Sequence, residues 1–498
     1  LGLWTFGHIN KEVTSLCYNN YMTVRTRFAP SPTGYLHVGG IRTALFAWLV
    51  AKQGKGQFIL RLEDTDKKRE VAGTDRHLMD SLKALGLQYD EGPDIGGPYA
   101  PYRQSERLAS YKQWAQKLID SGRAYADLYT PEKVQTFREE AQKAKKPFLY
   151  RNHRPNPPAG GPQWDGNKPL RFRSDPKVYK WHDEVMGDLS TGPEVIDDFI
   201  IIKSDGYPTY NFAHIVDDAE MKITHIIRGQ EFLASVPNYL NLYEALNIQP
   251  PLMATMPHIL NEQGNKKLSK RDGAKDVLDY IRVGYLPEAL VSFIASMGWN
   301  DGTEQEVFTV DELTRKFSLD RVGRGGAHFD ERRLLWTNGH FIREMKLDDL
   351  YEKVASYWRS EAKDADEAYK KQVLGLVQER LKYFAELPGL TNFFFVDLPL
   401  NPELISSHKQ LKKLSREELK ALLQKSRDTL ADSNFKLDDL TDRLNKLLEE
   451  TDQKPAVLFS LIRIAVTQTP SSPALAETLA VLGKETSLTR IDTQLAGL

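Results

Sequence analysis

Residues Arg27 to Ala44 read RFAPSPTGYLHVGGIRTA, and the way this stretch changes structure decides the fold. The preceding TVRTRF mixes β-branched and aromatic residues, as a strand does. Pro30 and Pro32 then forbid regular structure, and Gly34 turns the chain. His37, Val38, Gly39 and Gly40 lead directly into IRTALFAWLVA, which reads as a buried helix. A strand that turns sharply into a helix leaves backbone N–H groups pointing above the sheet. Such a helix start favours anions, and glycines let a phosphorylated ligand approach the backbone. On its own, Gly39-Gly40 fits close helix–strand packing equally well.

Outward from this stretch, the chain alternates strand and helix to about residue 120. QFILRLEDTD ends a strand in carboxylates; TDRHLMDSLKALGL and RLASYKQWAQKLIDSG are amphipathic helices closed near Gly86 and Gly122. The rhythm predicts a parallel sheet with helices on its faces. Residues 123–208 read as an inserted α+β module, with a helix start at Thr130-Pro131 and a break at RPNPPAGGPQW. Apolar text resumes with YNFAHIVDDAEMKITHIIRGQEF from Tyr210. Beyond Val277 the pattern is helical, with capping boxes at Thr309/Glu312 and Ser415/Glu418.

The length of 498 residues suggests about three domains, and 27% charged against 41% hydrophobic residues is ordinary for a globular chain. No apolar run approaches the roughly 20 residues that span a bilayer, so no membrane association and a cytoplasmic location are expected. The single cysteine, Cys17, excludes an intramolecular disulfide framework and a cysteine-based zinc site. A net charge of −1 means that any nucleic-acid contact must use local basic patches. Residues 1–21 have no period and no signal-peptide pattern, and read as a non-native or disordered extension before a start at Met22.

A second stretch, GNKKLSKRDGAKD (Gly264 to Asp276), packs Lys266, Lys267, Lys270, Arg271 and Lys275 between Gly264 and Gly273. A basic loop of this kind can close on polyphosphate and stabilise charge as it develops on a leaving group. HVGG and KLSKR together resemble the HIGH and KMSKS signatures of class I aminoacyl-tRNA synthetases. RFAPSPTGYLHVGGIRTALF, LRLEDTD, DGYPTYNFAHIVDD, ITHIIRGQEF, KKLSKRDGA and the tail IRIAVTQTPSSPALAETLAVLGKE are similar, in that order, to the bacterial-type glutamyl-tRNA synthetases. The resemblance covers Met22 to Leu498.

This resemblance implies a Rossmann-like α/β catalytic domain (22–120 and 209–275) split by an α+β acceptor-stem module (121–208). A helical stem-contact domain (276–345) and an all-α anticodon-binding region in two subdomains (346–498) would follow. It implies a monomeric ligase that makes glutamyl-adenylate from L-glutamate and ATP with Mg²⁺, then transfers the acyl group to tRNA. Glutamate tRNA alone, or glutamine tRNA as well, are both compatible with the sequence. By position, His37, Gly39, Gly40, Glu231, Leu260, Lys267 and Lys270 would hold ATP, with His37, Lys267 and Lys270 as the catalytic group. Arg27, Ala29, Ser31, Glu63, Tyr210, Asn211 and Arg228 would hold glutamate: arginines fork onto carboxylates, and Glu63 takes the ammonium.

The fourth letter of the first signature is Gly40 rather than histidine, as is usual in this branch. Many relatives carry a Cys/His zinc site in the inserted module. GRAYADLYTPEK has no cysteine, and His153 and His182 are isolated. No zinc is therefore expected, and Trp164, Phe172 and Trp181 are expected to pack the module instead. Lys143, Lys145, Lys146, Arg151 and Arg154, and farther on Lys409, Lys412, Lys413 and Arg416, suit RNA phosphate contacts. Among rivals, glutaminyl-tRNA synthetases carry a β-barrel anticodon region, unlike this helical tail. The queuosine-modifying paralogue and small nucleotidyltransferases are too short. A non-catalytic RNA-binding paralogue should have lost motif residues that this chain keeps.

Overall fold

The computed structural model describes residues 23–36, 38–155, 164–268 and 275–498. The segment expected as an extension, His37 and Lys270 therefore lie outside the described residues. The chain divides into two compact units, one formed by residues up to Ile281 with Pro287–Glu331, the other by Arg282–Leu286 with Arg332–Leu498.

In the first unit the elements run β1 (Arg25–Phe28), α1 (Val38–Gln53), β2 (Gln57–Leu60), α2 (Thr74–Ala84), α3 (Leu108–Asp120), β3 (Ala124–Ala126), α4 (Pro131–Lys143) and β4 (Leu170–Phe172). Next come β5 (Tyr179–Asp183), β6 (Gly187–Thr191), β7 (Ile200–Ile202), α5 (Tyr210–Glu220), β8 (His225–Gly229), α6 (Val236–Ala245), β9 (Leu252–Met256) and β10 (Ile259–Leu260). The unit ends with α7 (Val277–Arg282), α8 (Pro287–Ser296), α9 (Val310–Lys316) and β11 (Ala327–His328).

Six strands form one sheet in the order β2-β1-β8-β9-β5-β6. β1 pairs in parallel with β2, from Arg25↔Gln57 to Phe28↔Leu60, and with β8 at Thr26↔His225. β8 and β9, and β9 and β5, are also parallel; only β5–β6 is antiparallel. The strands β1, β2, β8 and β9 are buried along most of their length, as in parallel sheets covered on both faces, although β1 carries Arg25, Thr26 and Arg27 there. α1 is buried along most of its length, from Val38 and Ile41 to Leu49 and Ala51. Gly56, entering β2, allows the closest approach: a Cβ there would lie 1.9 Å from the Val24 carbonyl oxygen.

After β1 the chain proceeds to β2 on one side, whereas β8 lies on the other. The strand order therefore reverses between β1 and β8, and the crevice above their C-terminal ends is the ligand position of such sheets.

Residues 121–208, expected as one module, contribute to two sheets. β3, β4 and β7 form a separate antiparallel sheet, while β5 and β6 extend the large one. The small sheet shares its core with α3, α5 and α6. Phe172, Ile201 and Ile202 are buried in one cluster with Phe212, Tyr239 and Met253, and Trp164 and Trp181 pack against it.

The second unit is helical: α10 (Glu331–Glu344), α11 (Leu347–Lys353), α12 (Glu367–Val377), α13 (Leu387–Thr391), α14 (Glu403–Ser406), α15 (Arg416–Ala431), α16 (Leu437–Thr451), α17 (Pro455–Thr467), α18 (Leu475–Leu482) and α19 (Lys484–Gly497). Its core joins Leu419, Leu423 and Leu430 of α15 with Leu440, Leu444 and Leu447 of α16 and Leu458, Leu461 and Ile462 of α17. The spacing of three or four residues is that of helices packing one face inward. Both capping boxes read in the sequence, Thr309/Glu312 and Ser415/Glu418, are formed.

Candidate functional site

Beneath the switch point lies a buried network of charges. Arg27, on β1, donates from Nε to Asp218 Oδ1 at 3.1 Å and from Nη1 to the Ile227 carbonyl at 3.4 Å. Arg61, fully buried after β2, donates to Asp218 Oδ1 at 2.7 Å and to Glu63 Oε1 at 3.0 Å. Arg107 Nε and Tyr111 Oη donate to Asp217 at 2.7 Å and 3.0 Å. The Glu63 N–H donates to the Pro30 carbonyl at 3.0 Å, which ties the turn after β1 to the end of β2. The guanidinium of Arg27, expected to fork onto a glutamate carboxylate, also binds Asp218 through Nε and Nη2.

Burial sets the titration of these acids. It pushes Glu63 up to about 7, against the pull of Arg61 and Arg27. Burial acts on Asp218 as well, but Arg27 and Arg61 outweigh it and hold that acid at about 2. Asp217 is raised by burial against Arg61 and Arg107. Sequence reasoning did not single out Arg61, Asp217 or Asp218, although the twin acids of YNFAHIVDD, inside a buried helix, were a usable signal.

Arg228, at the end of β8, differs from the other buried arginines. It is 6% exposed, and both Nη1 and Nη2 are buried without a hydrogen-bond partner. Its guanidinium lies 5.0 Å from the Tyr239 ring centre and 5.7 Å from that of Phe232. Tyr210, whose phenol burial pushes upward, stacks on Phe232 at 5.1 Å and on His214 at 4.8 Å. Asn211 accepts from Tyr239 Oη at 2.9 Å. The structure thus brings Tyr210, Asn211 and Arg228 to one place, with His214 as an unforeseen neighbour. Ala29 is half-buried and Ser31 exposed in the turn above β1.

On the other side of the crevice, Gly39 and Gly40 open α1 half-buried. A Cβ on Gly40 would meet the Leu36 side chain at 2.7 Å. Leu260 and Lys267 face each other across a hairpin, closed by Asn261 N–H to the Lys266 carbonyl at 3.0 Å and Leu268 N–H to the Ile259 carbonyl at 2.8 Å. Gly264 turns it with φ +71°. Lys267 Nζ stands 3.7 Å from Glu231 Oε1, and His258 Nδ1 stands 3.8 Å from Glu231 Oε2. Burial and Lys267 lower the pKa of His258. Arg42, on α1, donates to the carbonyls of Met297 and Pro257, and burial lowers it to about 10, against the pull of Glu231. Glu231, Leu260 and Lys267 therefore share one edge with a second cation, Arg42, and an imidazole, His258.

The inserted region is held by another ionic cluster. Arg171 pairs with Asp127 at 2.6 Å and lies 3.4 Å over the Tyr150 ring centre. Arg154 pairs with Asp198 through both carboxylate oxygens, at 2.7 Å and 2.6 Å. Arg151 donates to the carbonyls of Pro193 and Ile196. Two of the arginines expected at RNA are thus engaged inside the protein, while Lys143, Lys145 and Lys146 are exposed. His153 stacks on Phe137 at 4.0 Å, and His182 Nδ1 lies 2.6 Å from Asp188. Among the described residues no group of three or more His, Cys, Asp or Glu is placed to hold a metal ion, and no helix is long and apolar enough to cross a membrane. Lys412 and Arg416 border a cavity of about 370 Å³ in the helical unit, lined also by Leu400, Ile405 and Leu419.

Residues 23–336 match the family described as "tRNA synthetases class I (E and Q), catalytic domain", and residues 349–495 match an anticodon binding domain. A curated glutamate–tRNA ligase of Clostridium botulinum (strain Hall) is 40% identical over 94% of this chain and 97% of its own length. One of Legionella pneumophila (strain Paris) is 38% identical over 95% and 97%. A crystal structure of a glutamate tRNA ligase from Elizabethkingia meningosepticum, in complex with its amino acid, has a TM-score of 0.85 at 31% identity, covering 96% of this chain and all of that one. The chain belongs to the class I tRNA synthetases of the E and Q type.

Proposed function

We propose that the chain is a glutamate–tRNA ligase: it activates L-glutamate with ATP to glutamyl-adenylate and transfers the glutamyl group to the 3′-terminal adenosine of tRNA. The observation that carries this reading is Arg228. A buried guanidinium whose two terminal nitrogens lack partners is costly unless an anion completes it. It stands at the switch point beside Tyr210 and Asn211, where a small anionic ligand belongs. Arg27, which shares the single carboxylate of Asp218 with Arg61, would orient the site and lend it positive potential. Glu63, Ala29 and Ser31 would surround the rest of the amino acid.

The nucleotide would lie along Gly39, Gly40, Glu231 and Leu260. Lys267 would exchange its contact with Glu231 for the phosphates of ATP, which arrive with Mg²⁺. His37 and Lys270 take their roles from the sequence. Lys270 would meet the departing pyrophosphate, so Lys270→Ala should slow adenylate formation by ~10²–10³-fold and transfer much less; rapid-quench measurement of each half-reaction checks this. Residues 121–208 would contact the acceptor end, 276–345 the stem and 346–498 the anticodon, in a cytoplasmic monomer. Two measurements test the proposal. The first is pyrophosphate exchange with glutamate and with glutamine, with and without tRNA. The second is charging of purified glutamate and glutamine isoacceptors with labelled glutamate. Exchange with glutamine alone, or none at all, would overturn it.

A further inference from the structure

Away from the amino-acid crevice, three separate segments of the first unit meet at one imidazole. His77 is fixed on α2: its N–H donates to the Gly73 carbonyl at 3.0 Å, and its carbonyl accepts from Ser81 Oγ at 2.7 Å. Its Nε2 stands 2.6 Å from Asp276 Oδ2, and each of the two side chains is only 16% exposed. An ionised carboxylate only accepts, so Nε2 carries the proton. Nδ1 is buried with no hydrogen bond, so among the described residues the contact to Asp276 is the ring's one polar tie. Tyr35, from the turn before α1, packs on the imidazole at 4.6 Å, tilted by 51°.

Asp276 in turn fixes the start of α7. Its Oδ1 accepts from the Leu278 N–H at 2.9 Å, and its carbonyl accepts from the Asp279 N–H at 3.1 Å. On the other flank of the second signature, the Leu268 N–H donates to the Ile259 carbonyl at 2.8 Å. In sequence, Lys270 stands between these two anchors. The first is a backbone ladder, which most side chains would allow. The second is a side-chain pair, and it depends on His77. We infer that His77 is a positioning residue for adenylate formation. Its hydrogen bond to Asp276 sets where the stretch carrying Lys270 rejoins the fold, in register with the turn before α1. His77 touches no substrate and acts through Asp276. The inference rests on the ligase reading proposed above. Misplacing a reacting group by about 1 Å can cost about 10²-fold, so such a bond shows in the rate of one step rather than in amino-acid affinity.

The test uses the full chain, with tRNA present, and follows the two half-reactions separately. His77→Leu should slow adenylate formation about tenfold or more, with transfer from preformed glutamyl-adenylate and the KM for glutamate within about twofold. His77→Gln, whose amide N–H reaches the same oxygen, should restore the rate to within about threefold. Asp276→Ser keeps a cap for the Leu278 N–H but ends short of His77. It should match His77→Leu and carries the test if the leucine variant does not fold. Because the pair acts as a unit, the double variant should be no slower than either single one. A glutamine variant as slow as the leucine one would mean that the ring packs rather than positions, and would overturn the inference. Equal slowing of both half-reactions, full additivity or an unchanged rate would overturn it too. Wild-type protein that forms no glutamyl-adenylate, with or without tRNA, would overturn the proposed function itself, and this assignment with it.

Discussion

Two buried arginine–carboxylate clusters lie in the same unit, and they differ in what they leave over. In the inserted region Arg171 is closed by Asp127 and the Asp198 carbonyl, and Arg154 by Asp198 and Ser174. Tyr150 donates to the other oxygen of Asp127, and Tyr125 to Oδ2 of Asp198, which it shares with Arg154. Among these six side chains no buried nitrogen or oxygen lacks a partner. Beneath the switch point, Arg27 and Arg61 share Asp218, and Arg61 Nε has only Asp217 at 3.6 Å, while both terminal nitrogens of Arg228 and Nε2 of His214 have no hydrogen-bond partner at all. Burial of charge is thus not by itself a sign of function. A buried guanidinium with both terminal nitrogens unpaired is a stronger signal, because leaving a charged group unpaired costs more than leaving a hydroxyl or an indole nitrogen so.

The largest effect that could break this contrast is at Arg228. Arg228→Ala should raise the KM for glutamate by ~10²-fold or more, on the scale of a charge pair broken in a buried site, with the KM for ATP nearly unchanged. Pyrophosphate-exchange kinetics with each substrate varied would show it; equal changes in both would place Arg228 among the merely structural arginines.

Removing the anion from each cluster should cost about the same in stability and differ in function. Asp218→Asn strands Arg27 and Arg61, and Asp198→Asn strands Arg154. Each should lower unfolding free energy by ~3–5 kcal/mol, measured by denaturant titration. Only Asp218→Asn should also weaken glutamate binding. If Asp198→Asn weakens it as much, the two clusters do not differ in kind.

The comparison sharpens with pH. Glu63 sits at about 7 in the folded chain against an ordinary 4.5, so the folded state holds its proton more tightly. Stability should therefore fall as pH rises from about 4.5 to about 7, by up to ~3 kcal/mol, and Glu63→Gln should remove that fall. Asp218 has the opposite sign: at about 2 against 3.8, it contributes stability above pH 3.8 that is lost as pH drops through 2. Glutamate affinity should rise between pH 6 and 7 as Glu63 ionises. A calorimetric pH series identical in wild type and Glu63→Gln would remove Glu63 from the ammonium contact.

The smallest effect concerns the exposed lysines beside the closed cluster. Replacing Lys143, Lys145 or Lys146 with glutamine should leave stability within ~0.5 kcal/mol and lower the logarithmic salt slope of tRNA binding by about one each. Filter binding over a salt series reads this directly. Arg151→Gln should instead destabilise, because that arginine is engaged with the Pro193 and Ile196 carbonyls.

Much of this was legible in the chain. The strand, turn and helix of Arg27 to Ala44, the capped helices after Thr309 and Ser415, and the switch from strand–helix alternation to helices depend on neighbours three or four residues away. Such contacts are written in local spacing. The resemblance of the two signature stretches supplied the residues of the candidate site.

The state of those residues was not legible. Arg27 finds Asp218 191 positions later, and Arg61 finds it 157 positions later; no pattern in either segment says that these arginines share one acid while Arg228 is left open. Nor does composition reveal that Arg154 closes a core while Lys145 stays outside it. By itself the sequence determined the elements, the sheet-and-helix class and the list of chemical groups. Only the tertiary structure decided which groups are already satisfied, because the worth of a buried charge depends on which distant partners folding brings within 3 Å or so of it.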